Sequence, residues 1–451
     1  MHNASTHTSS TATSDSESTW GITIEYLPDF SEGVISSISL NNSTSPSSSS
    51  SPLALSALVH SHVLLDKAFI HNTPSYSYLL PSTGSFQEAL TSTTEAKATF
   101  THADLLKAAD GFLPIPLLQR TCLEAGLALK EKWKDACEIQ LVCFAQDPIF
   151  STPHGEENRR LIETAIRGHT SGNLSVLGTT PYVESSIEAS KQNIEWAVDM
   201  ALQSDRHLDF HLDNNLSPPE EDPEPLVWHV LHTLRAWGWT SRATNKRIML
   251  SHCTRLSLSR EEDWSRLARE IYDNELPVSF VGLATSDLYM AATPFGNKRE
   301  IGSNPRGTLL VPSLIRDYGL DAVIGVNNVG NAFTPWGSAD PLSLACLGVG
   351  IYRAGTVGDS ELLHECVSTR ARAAIGLPSR TRPDSGVRLK CGDCADCLLL
   401  TDVDDTGFLE PGATRARKSV AEAVWDPPAR TSRAVVCRGR VAKPAGLLFS
   451  L

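Results

Sequence analysis

Three histidines are the residues of this chain whose type and placement best suit chemistry. His62 and His211 each lie within a short apolar run, and His252 ends another. Neutral imidazole is a common metal ligand, and catalytic metal sites gather such ligands from the ends of different strands. If the three runs are neighbouring strands, the three side chains share one pocket. That pattern is typical of a metal-dependent hydrolase.

The elements that would position these histidines alternate along the chain. Short apolar runs are each followed by an amphipathic helical pattern, such as 226–237 or 344–354. Alternation at this spacing favours parallel βαβ units and a closed (β/α)8 TIM-type barrel, with its chemistry at the carboxyl ends of the strands. The apolar runs are residues 58–65, 139–144, 174–178, 208–212, 248–251, 278–283 and 322–326.

Both ends of the chain lie outside the predicted barrel, which we place at 56–379. Residues 1–19 are polar and low in complexity, which predicts a disordered tail. Strand-like patterns at 20–55 and 380–451 predict a small β-sandwich built from both chain ends. A Ser-rich linker at 43–51 interrupts its first part.

Composition narrows the function classes. The 451 residues include 39 basic and 52 acidic ones, and the net charge of −13 disfavours nucleic acid and anionic membranes as partners. No apolar run reaches the roughly 18 residues that span a bilayer, and the polar start has no secretory pattern. Ten cysteines in such a chain predict reduced thiols and a cytoplasmic protein. We expect a small-molecule substrate, and the apolar helix at 344–354 leaves room for a homo-oligomer.

Several segments, taken in order, resemble one known family. They are HVLLDKAF (62–69), IQLVCFAQ (139–146), LGTTPYVE (177–184), DFHLDN (209–214), SHCT (251–254) and 306–328, which ends IGVNN. The chain is similar in these segments to the amidohydrolase superfamily, specifically its cytosine-deaminase-like branch, and the similarity runs from about Trp20 to Val441. The resemblance implies hydrolysis of a C–N bond in a small cyclic amide or amidine by metal-activated water, as in a deaminase or an amidase.

The same resemblance implies roles for individual residues. His62 and His211 would hold one divalent metal ion, zinc or iron. His252 would orient the attacking water, and Gln146 would contact the substrate ring. The resemblance places these residues at the ends of barrel strands, where the family carries its site.

The chain departs from the family pattern at three positions. Leu64 stands where the family has a second strand-1 histidine, and Asn327 stands where it has an aspartate that binds metal and accepts a proton. Asn214 replaces a glutamate that shuttles protons. A neutral amide cannot act as a base. The resemblance places Asn327 at the catalytic base position. Because its amide cannot accept the proton, a relay through Asp213 or Asp340 would carry it.

These departures leave two interpretations open. In the first, the chain hydrolyses C–N bonds other than peptide bonds and binds substrate through four polar residues: Gln146, Asn214, Asn328 and Asp340. In the second, it is a catalytically degenerate barrel that binds a small molecule, or a metal-independent lyase or isomerase. No metal is bound in the second interpretation. The substrate itself is not predicted by either, because specificity depends on loops.

One strand of the expected barrel has no good counterpart. Between Asp66 and Ile139 the candidate for strand 2 is Gly111–Leu118, whose two prolines make it a poor central strand. Either the strand is missing or degraded, or the sequence derives from a gene model that lacks coding sequence. We favour the second explanation, because a lost strand would leave ladder groups of both neighbours unpaired.

Two other patterns could bind metal. A one-pair register slip would make His60 and His62 the metal pair, but residues 63–67 match the family without a shift. Cys391, Cys394 and Cys397 form two overlapping CxxC spacings with no fourth ligand nearby. We interpret these thiols as structural.

Overall fold

The computed structural model describes the chain in ten segments. These are residues 3–4, 19–26, 33–41, 52–72, 74–99, 119–216, 224–291, 307–377, 386–400 and 417–442. No helix in these segments is long and apolar enough to cross a membrane.

The strands and helices follow one another in the predicted rhythm. The strands are β1 (Asn3–Ala4), β2 (Thr19–Tyr26), β3 (Gly33–Asn41), β4 (Leu53–Ser56), β5 (Val142–Ala145), β6 (Val176–Thr179), β7 (His207–Leu212), β8 (Ile248–His252), β9 (Val278–Gly282), β10 (Ala322–Ile324), β11 (Cys397–Leu400), β12 (Arg433–Cys437) and β13 (Arg440–Val441). The α-helices are α1 (Phe86–Thr99), α2 (Gln119–Trp133), α3 (Gly155–Gly168), α4 (Ile187–Ser204), α5 (Leu226–Ala236), α6 (Glu261–Asp273), α7 (Ala284–Met290), α8 (Val311–Tyr318), α9 (Pro341–Ile351), α10 (Val357–Glu365), α11 (Thr369–Ala374) and α12 (Val420–Trp425).

A sheet of parallel strands forms the centre of the molecule, in the order β10-β9-β8-β7-β6-β5. Every residue of β8 and β9 is buried, as is every residue of β7 after His207. Burial along whole strands is expected when helices cover both faces of a parallel sheet. At least one helix lies between each strand of this sheet and the next. The α/β alternation predicted from the sequence is confirmed.

The chain around His62 closes one side of this sheet. Val63 forms a parallel bridge with Asn327, and the Leu64 amide donates to the Asn327 carbonyl at 2.7 Å. The predicted strand over 58–65 is therefore corrected: it makes a single bridge, and the chain then enters a 3-10 turn at Leu65–Lys67. Backbone pairing still places this segment beside the last barrel strand.

On its other side, this sheet ends at β5 among the described residues. A cavity of about 320 Å³ lies between residues 57–64 and residues 136–144. The candidate for strand 2, residues 111–118, lies outside the described part of the chain. A missing strand and an incomplete gene model both remain predictions.

The two ends of the chain form two antiparallel sheets, and the second of these combines strands from both ends. One has the order β1-β2-β3 and the other the order β13-β12-β11-β4. A bridge between Val34 and Cys394 joins them, and the Gly33 amide donates to the Arg438 carbonyl at 3.0 Å. The packing of these sheets as a β-sandwich stays a prediction.

Two further predictions concern the chain ends. Asn3–Ala4 pair with Trp20–Gly21, and the disorder of 1–19 stays a prediction. The Ser-rich linker at 43–51 lies outside the described residues. In the cysteine motif, Cys397 is buried in β11, and burial raises the pKa of its thiol to about 12. A protonated, buried thiol suits the structural role that we predicted.

Candidate active site

Three imidazoles lie together at the carboxyl ends of the barrel strands. The ring centroid of His211 is 4.6 Å from that of His62 and 4.8 Å from that of His252. All three side chains are buried. The structure thus brings the three histidines singled out from the sequence into one group, which we call the histidine cluster.

The backbone bends sharply where the strands of this site end. His252, the last residue of β8, has a φ of 67°, and Asn327 has a φ of 58°. Asp213, directly after β7, has a φ of 46°. Residues with a Cβ seldom adopt this left-handed conformation, and such strain is concentrated at functional sites. Three residues at or just beyond strand ends of this site therefore have the left-handed backbone that is found at functional sites.

His62 and His211 direct nitrogen atoms at each other. Their Nε2 atoms are 2.9 Å apart. Burial first, and the cationic forms of its neighbours second, hold the pKa of His211 well below its ordinary value. His211 is therefore neutral at neutral pH, which is the form of imidazole that ligates metal.

A carboxylate on the same strand as His211 orients His62. Asp209 Oδ2 lies 2.7 Å from His62 Nδ1, and Asp209 Oδ1 accepts from Ser251 Oγ at 3.1 Å. Because ionised carboxylate oxygens only accept, the Nδ1 of His62 carries the hydrogen and its Nε2 keeps a lone pair. A carboxylate behind a ligating histidine is a recurrent arrangement in metal sites.

His252 is held by a second buried carboxylate. Its Nδ1 lies 2.8 Å from Oδ1 of Asp287, which is fully buried. Asp287 Oδ2 accepts from Thr308 Oγ1 at 2.8 Å and from the Leu283 amide at 3.2 Å. Burial raises the pKa of Asp287, and the hydrogen bond from His252 opposes that rise.

Asn327 occupies the space beside His252. Its Nδ2 donates to Ser286 Oγ at 3.0 Å and lies 3.4 Å from His252 Nε2. Its buried Oδ1 has no hydrogen-bond partner among the described residues. A buried carbonyl oxygen without a partner is costly, so this atom calls for a ligand that the protein itself does not supply.

The donor set fits one divalent cation, although weakly. Two imidazole Nε2 atoms converge, and the potential ligand atoms of His62, Asp209 and His211 all lie within 4.8 Å of one another. Asn327, which lies beside His252, has a buried Oδ1 without a partner among the described residues. Leu64, which is buried, adds no ligand.

Gln146 lies beside a buried ion pair. Its Oε1 accepts from Lys97 Nζ at 3.1 Å, and Lys97 Nζ lies 2.6 Å from Asp66 Oδ2. Lys67, which follows Asp66 in the chain, is 2% exposed, and burial lowers the pKa of its amine to about 7. The predicted ring-contacting residue is thus tied to a cluster of charges that the sequence did not reveal.

The two predicted asparagines lie in polar surroundings. Asn214 forms a side-chain hydrogen bond with Tyr182, whose ring centroid is 6.3 Å from that of His252. Asn328 Oδ1 accepts from Asn331 Nδ2 at 3.0 Å within the loop that follows β10. Substrate binding by Asn214, Asn328 and Gln146 stays a prediction.

Asp213 and Asp340 cap helices. Asp213 accepts from the first two amides of α5, those of Leu226 at 2.9 Å and Val227 at 3.2 Å. Asp340 caps α9, and Arg433 Nη1 donates to both of its carboxylate oxygens at 2.8 and 2.9 Å. These contacts engage both oxygens of each carboxylate, so neither residue enters our proposal for the chemistry.

Sequence reasoning missed several residues around the cluster. Asp287 and its neighbour Ser286 lie just past the end of β9, a position at which barrel enzymes carry functional residues. That placement could have revealed them. Phe144, whose ring centroid is 4.7 Å from that of His211, gave no such signal, because an aromatic residue in a buried strand is ordinary.

Comparison with known proteins gives a clear result only at the level of structure. No family model and no curated protein sequence matches the chain. A 5-methylcytosine deaminase from Klebsiella pneumoniae is 19% identical with a TM-score of 0.70, and the match covers 98% of this chain and 97% of that chain.

Two further solved structures are similar. An N-isopropylammelide isopropylaminohydrolase from Burkholderia multivorans is 20% identical with a TM-score of 0.65 and 98% of each chain covered. A guanine deaminase from C. acetobutylicum is 13% identical with a TM-score of 0.50 and 95% of each chain covered. At these identities the likeness establishes the fold alone: the chain has the α/β barrel fold of these deaminase and aminohydrolase structures.

Proposed function

We propose that this protein is a hydrolase that acts on a C–N bond of a small cyclic amide or amidine, as a deaminase or an amidase does. The observation that carries the proposal is the approach of two buried imidazole Nε2 atoms, from His62 and His211, to 2.9 Å. They lie at the strand ends of a barrel whose structural relatives include a cytosine-type deaminase and an aminohydrolase.

We propose that His62 and His211 hold one divalent metal ion, zinc or iron. The chemistry that such an ion supplies when bound is the activation of water at neutral pH. Asp209 supports this role because it fixes His62 in the tautomer whose Nε2 is free to ligate. The unpartnered Oδ1 of Asn327 provides a further neutral donor.

The other residues of the site would bind and orient the substrate. The unpartnered Oδ1 of Asn327, which lies beside His252, offers an acceptor to a polar ring. Gln146, Asn214 and Asn328 are our candidates for further contacts to that ring. Phe144 packs against His211 and helps to exclude water from the cluster.

A second candidate function is binding of a small molecule without turnover. One observation favours it: both oxygens of the nearest carboxylate, Asp209, are hydrogen-bonded to His62 and Ser251. A metal held by neutral donors alone lacks the anionic partner that strengthens binding of a dication. The hydrolase stays our first proposal. We propose that it acts in the cytoplasm on a small-molecule substrate.

The test combines metal analysis with a substrate panel. Purified protein is reconstituted with zinc, ferrous iron or manganese, its metal content is measured, and cyclic amides and amidines are screened for release of ammonia or amine. We expect stoichiometric metal that His211→Ala removes, together with turnover of at least one compound. Stoichiometric metal without turnover supports the binding function instead, and absence of metal contradicts the hydrolase.

A further inference from the structure

We infer that Asp287 is a positioning residue that fixes His252 so that its Nε2 accepts the proton of the attacking water. This inference rests on the proposed hydrolase. It gives the role of proton acceptor to a pair of residues on β8 and α7, in place of the side chain at position 327.

The hydrogen-bond geometry sets the tautomer of His252. Its Nδ1 lies 2.8 Å from Asp287 Oδ1, and both side chains are buried. An ionised carboxylate only accepts, so Nδ1 carries the hydrogen and Nε2 carries the lone pair. That lone pair faces the Asn327 amide at 3.4 Å, a distance at which the amide is a weak donor.

The second oxygen of Asp287 holds the carboxylate in place. The Leu283 amide donates to it at 3.2 Å and Thr308 Oγ1 donates to it at 2.8 Å. A hydroxyl can rotate to accept a hydrogen bond, but a backbone N–H cannot. The environment therefore requires an oxygen atom on that side of residue 287.

Three other polar side chains near the cluster are not available to take the proton. Asn327 is a neutral amide. The carboxylate of Asp209 is engaged by His62 and Ser251, and that of Asp213 by the first amides of α5. Among the described residues at the cluster, the His252–Asp287 pair combines a lone pair that meets only the weak Asn327 donor with a carboxylate that stabilises the resulting imidazolium.

The proton balance of the reaction then closes. Water oxygen forms a bond to the ring carbon while one water proton moves to His252 Nε2, and Asp287 stabilises the charge on the imidazolium. The imidazolium returns that proton to the leaving nitrogen as the C–N bond breaks, which releases ammonia or an amine. Asp287 itself touches no reacting atom and only holds the imidazole in place.

The structure predicts what Asp287→Asn does. The single oxygen of the new amide must face the Leu283 N–H, so its NH2 group faces His252 Nδ1. His252 then adopts the tautomer with hydrogen on Nε2 and loses its proton-accepting lone pair. Long-range 1H–15N spectra of the protein labelled with 15N-histidine report this tautomer directly, and His252→Gln assigns the signal.

We expect Nδ1–H in the wild type and Nε2–H in Asp287→Asn. An Nε2–H tautomer in the wild type, or an unchanged tautomer in a folded Asp287→Asn variant, overturns the inference. If the variant does not fold, the wild-type spectrum alone still decides. This readout needs no turnover, so its outcome is separate from that of the proposed hydrolase.

Kinetics give the second readout on any substrate that the panel identifies. We expect Asp287→Asn to lower kcat by on the order of 10² to 10⁴-fold, with KM changed only a few-fold. Asp359→Asn, which removes a carboxylate from the N-terminus of α10, is the matched control for loss of a buried charge. A fall in kcat of less than about threefold in Asp287→Asn contradicts the inference.

Discussion

Replacing Asp209 by Asn tests the metal site at the residue that orients one of its ligands. The new amide has one oxygen, and two donors point at the carboxylate, His62 Nδ1 at 2.7 Å and Ser251 Oγ at 3.1 Å. The Ser251 hydroxyl can rotate and accept from the amide NH2, so the amide oxygen can remain on His62. The ligating tautomer is then kept, and only the negative charge is lost.

These contacts determine how much zinc affinity the variant should lose. Loss of a carboxylate behind a ligating histidine weakens metal affinity by about 10- to 100-fold, or roughly 1.4 to 2.8 kcal/mol. Because Asp209→Asn keeps the tautomer, we expect a value near the lower end. Zinc competition against a chromogenic chelator, at fixed pH and ionic strength, measures the ratio.

The matched control is Asp213→Asn, which changes the same residue type just beyond the same strand. Its contacts are to the first amides of α5. It should leave zinc affinity unchanged and lower the free energy of unfolding by about 1 kcal/mol. Equal zinc affinity in the wild type and Asp209→Asn would refute the reasoning, and a loss beyond about 1000-fold would make Asp209 a direct ligand.

Three further predictions concern the stability of the barrel. Burial lowers the pKa of Lys67 to about 7 in the folded protein. Unfolded lysine titrates near 10.4, so the unfolded chain binds more protons between these values and the wild type gains stability as pH rises, by up to about 1.4 kcal/mol per pH unit. Lys67→Met should remove this gain, as measured by urea unfolding at pH 7 and pH 9. Arg433→Met leaves the buried Asp340 carboxylate without its guanidinium partner and should lower the free energy of unfolding by about 3 kcal/mol in the same assay. Gly178→Ala places a Cβ 2.2 Å from Phe144 Cδ2, and we expect a loss of about 1 to 3 kcal/mol, because the ring must move.

Each of these variants has a control. Lys191→Met removes an exposed lysine and should keep the wild-type pH dependence, and an equal slope in Lys67→Met would contradict the first prediction. Arg242→Met breaks an exposed ion pair and should cost less than about 1 kcal/mol, so an equal cost in Arg433→Met would contradict the second. At Gly350 an added Cβ meets nothing within 4 Å, so Gly350→Ala should not destabilise the protein. An unchanged free energy of unfolding in Gly178→Ala would contradict the third prediction.

The sequence predicted the parts of the site that depend on strand ends. His211 lies within an apolar run and His252 ends another. Both runs have the length and composition of buried strands, and they do form β7 and β8. Parallel strands bring their carboxyl ends to one edge, so the convergence of the imidazoles followed from the alternation of strands and helices.

The remaining parts depend on partners that periodicity does not report. Asp287 meets His252 from a helix 35 residues further along the chain. The capping role of Asp340 could have been predicted from the sequence, because Asp followed by Pro341 is a common start of a helix. The run at 58–65 has strand composition yet forms one bridge, since ladder length is set by the neighbouring segments.

The pairing of Val63 with Asn327 has a consequence for biosynthesis. The segment that carries His62 is among the first of the barrel to leave the ribosome, and the segment that holds it in register is among the last. Ser61 likewise donates to the Ile324 carbonyl at 2.9 Å, across 263 positions of sequence. The nascent chain therefore cannot fix His62 in this register until the segment around Asn327 has been made, and the long loop that must close favours slow folding.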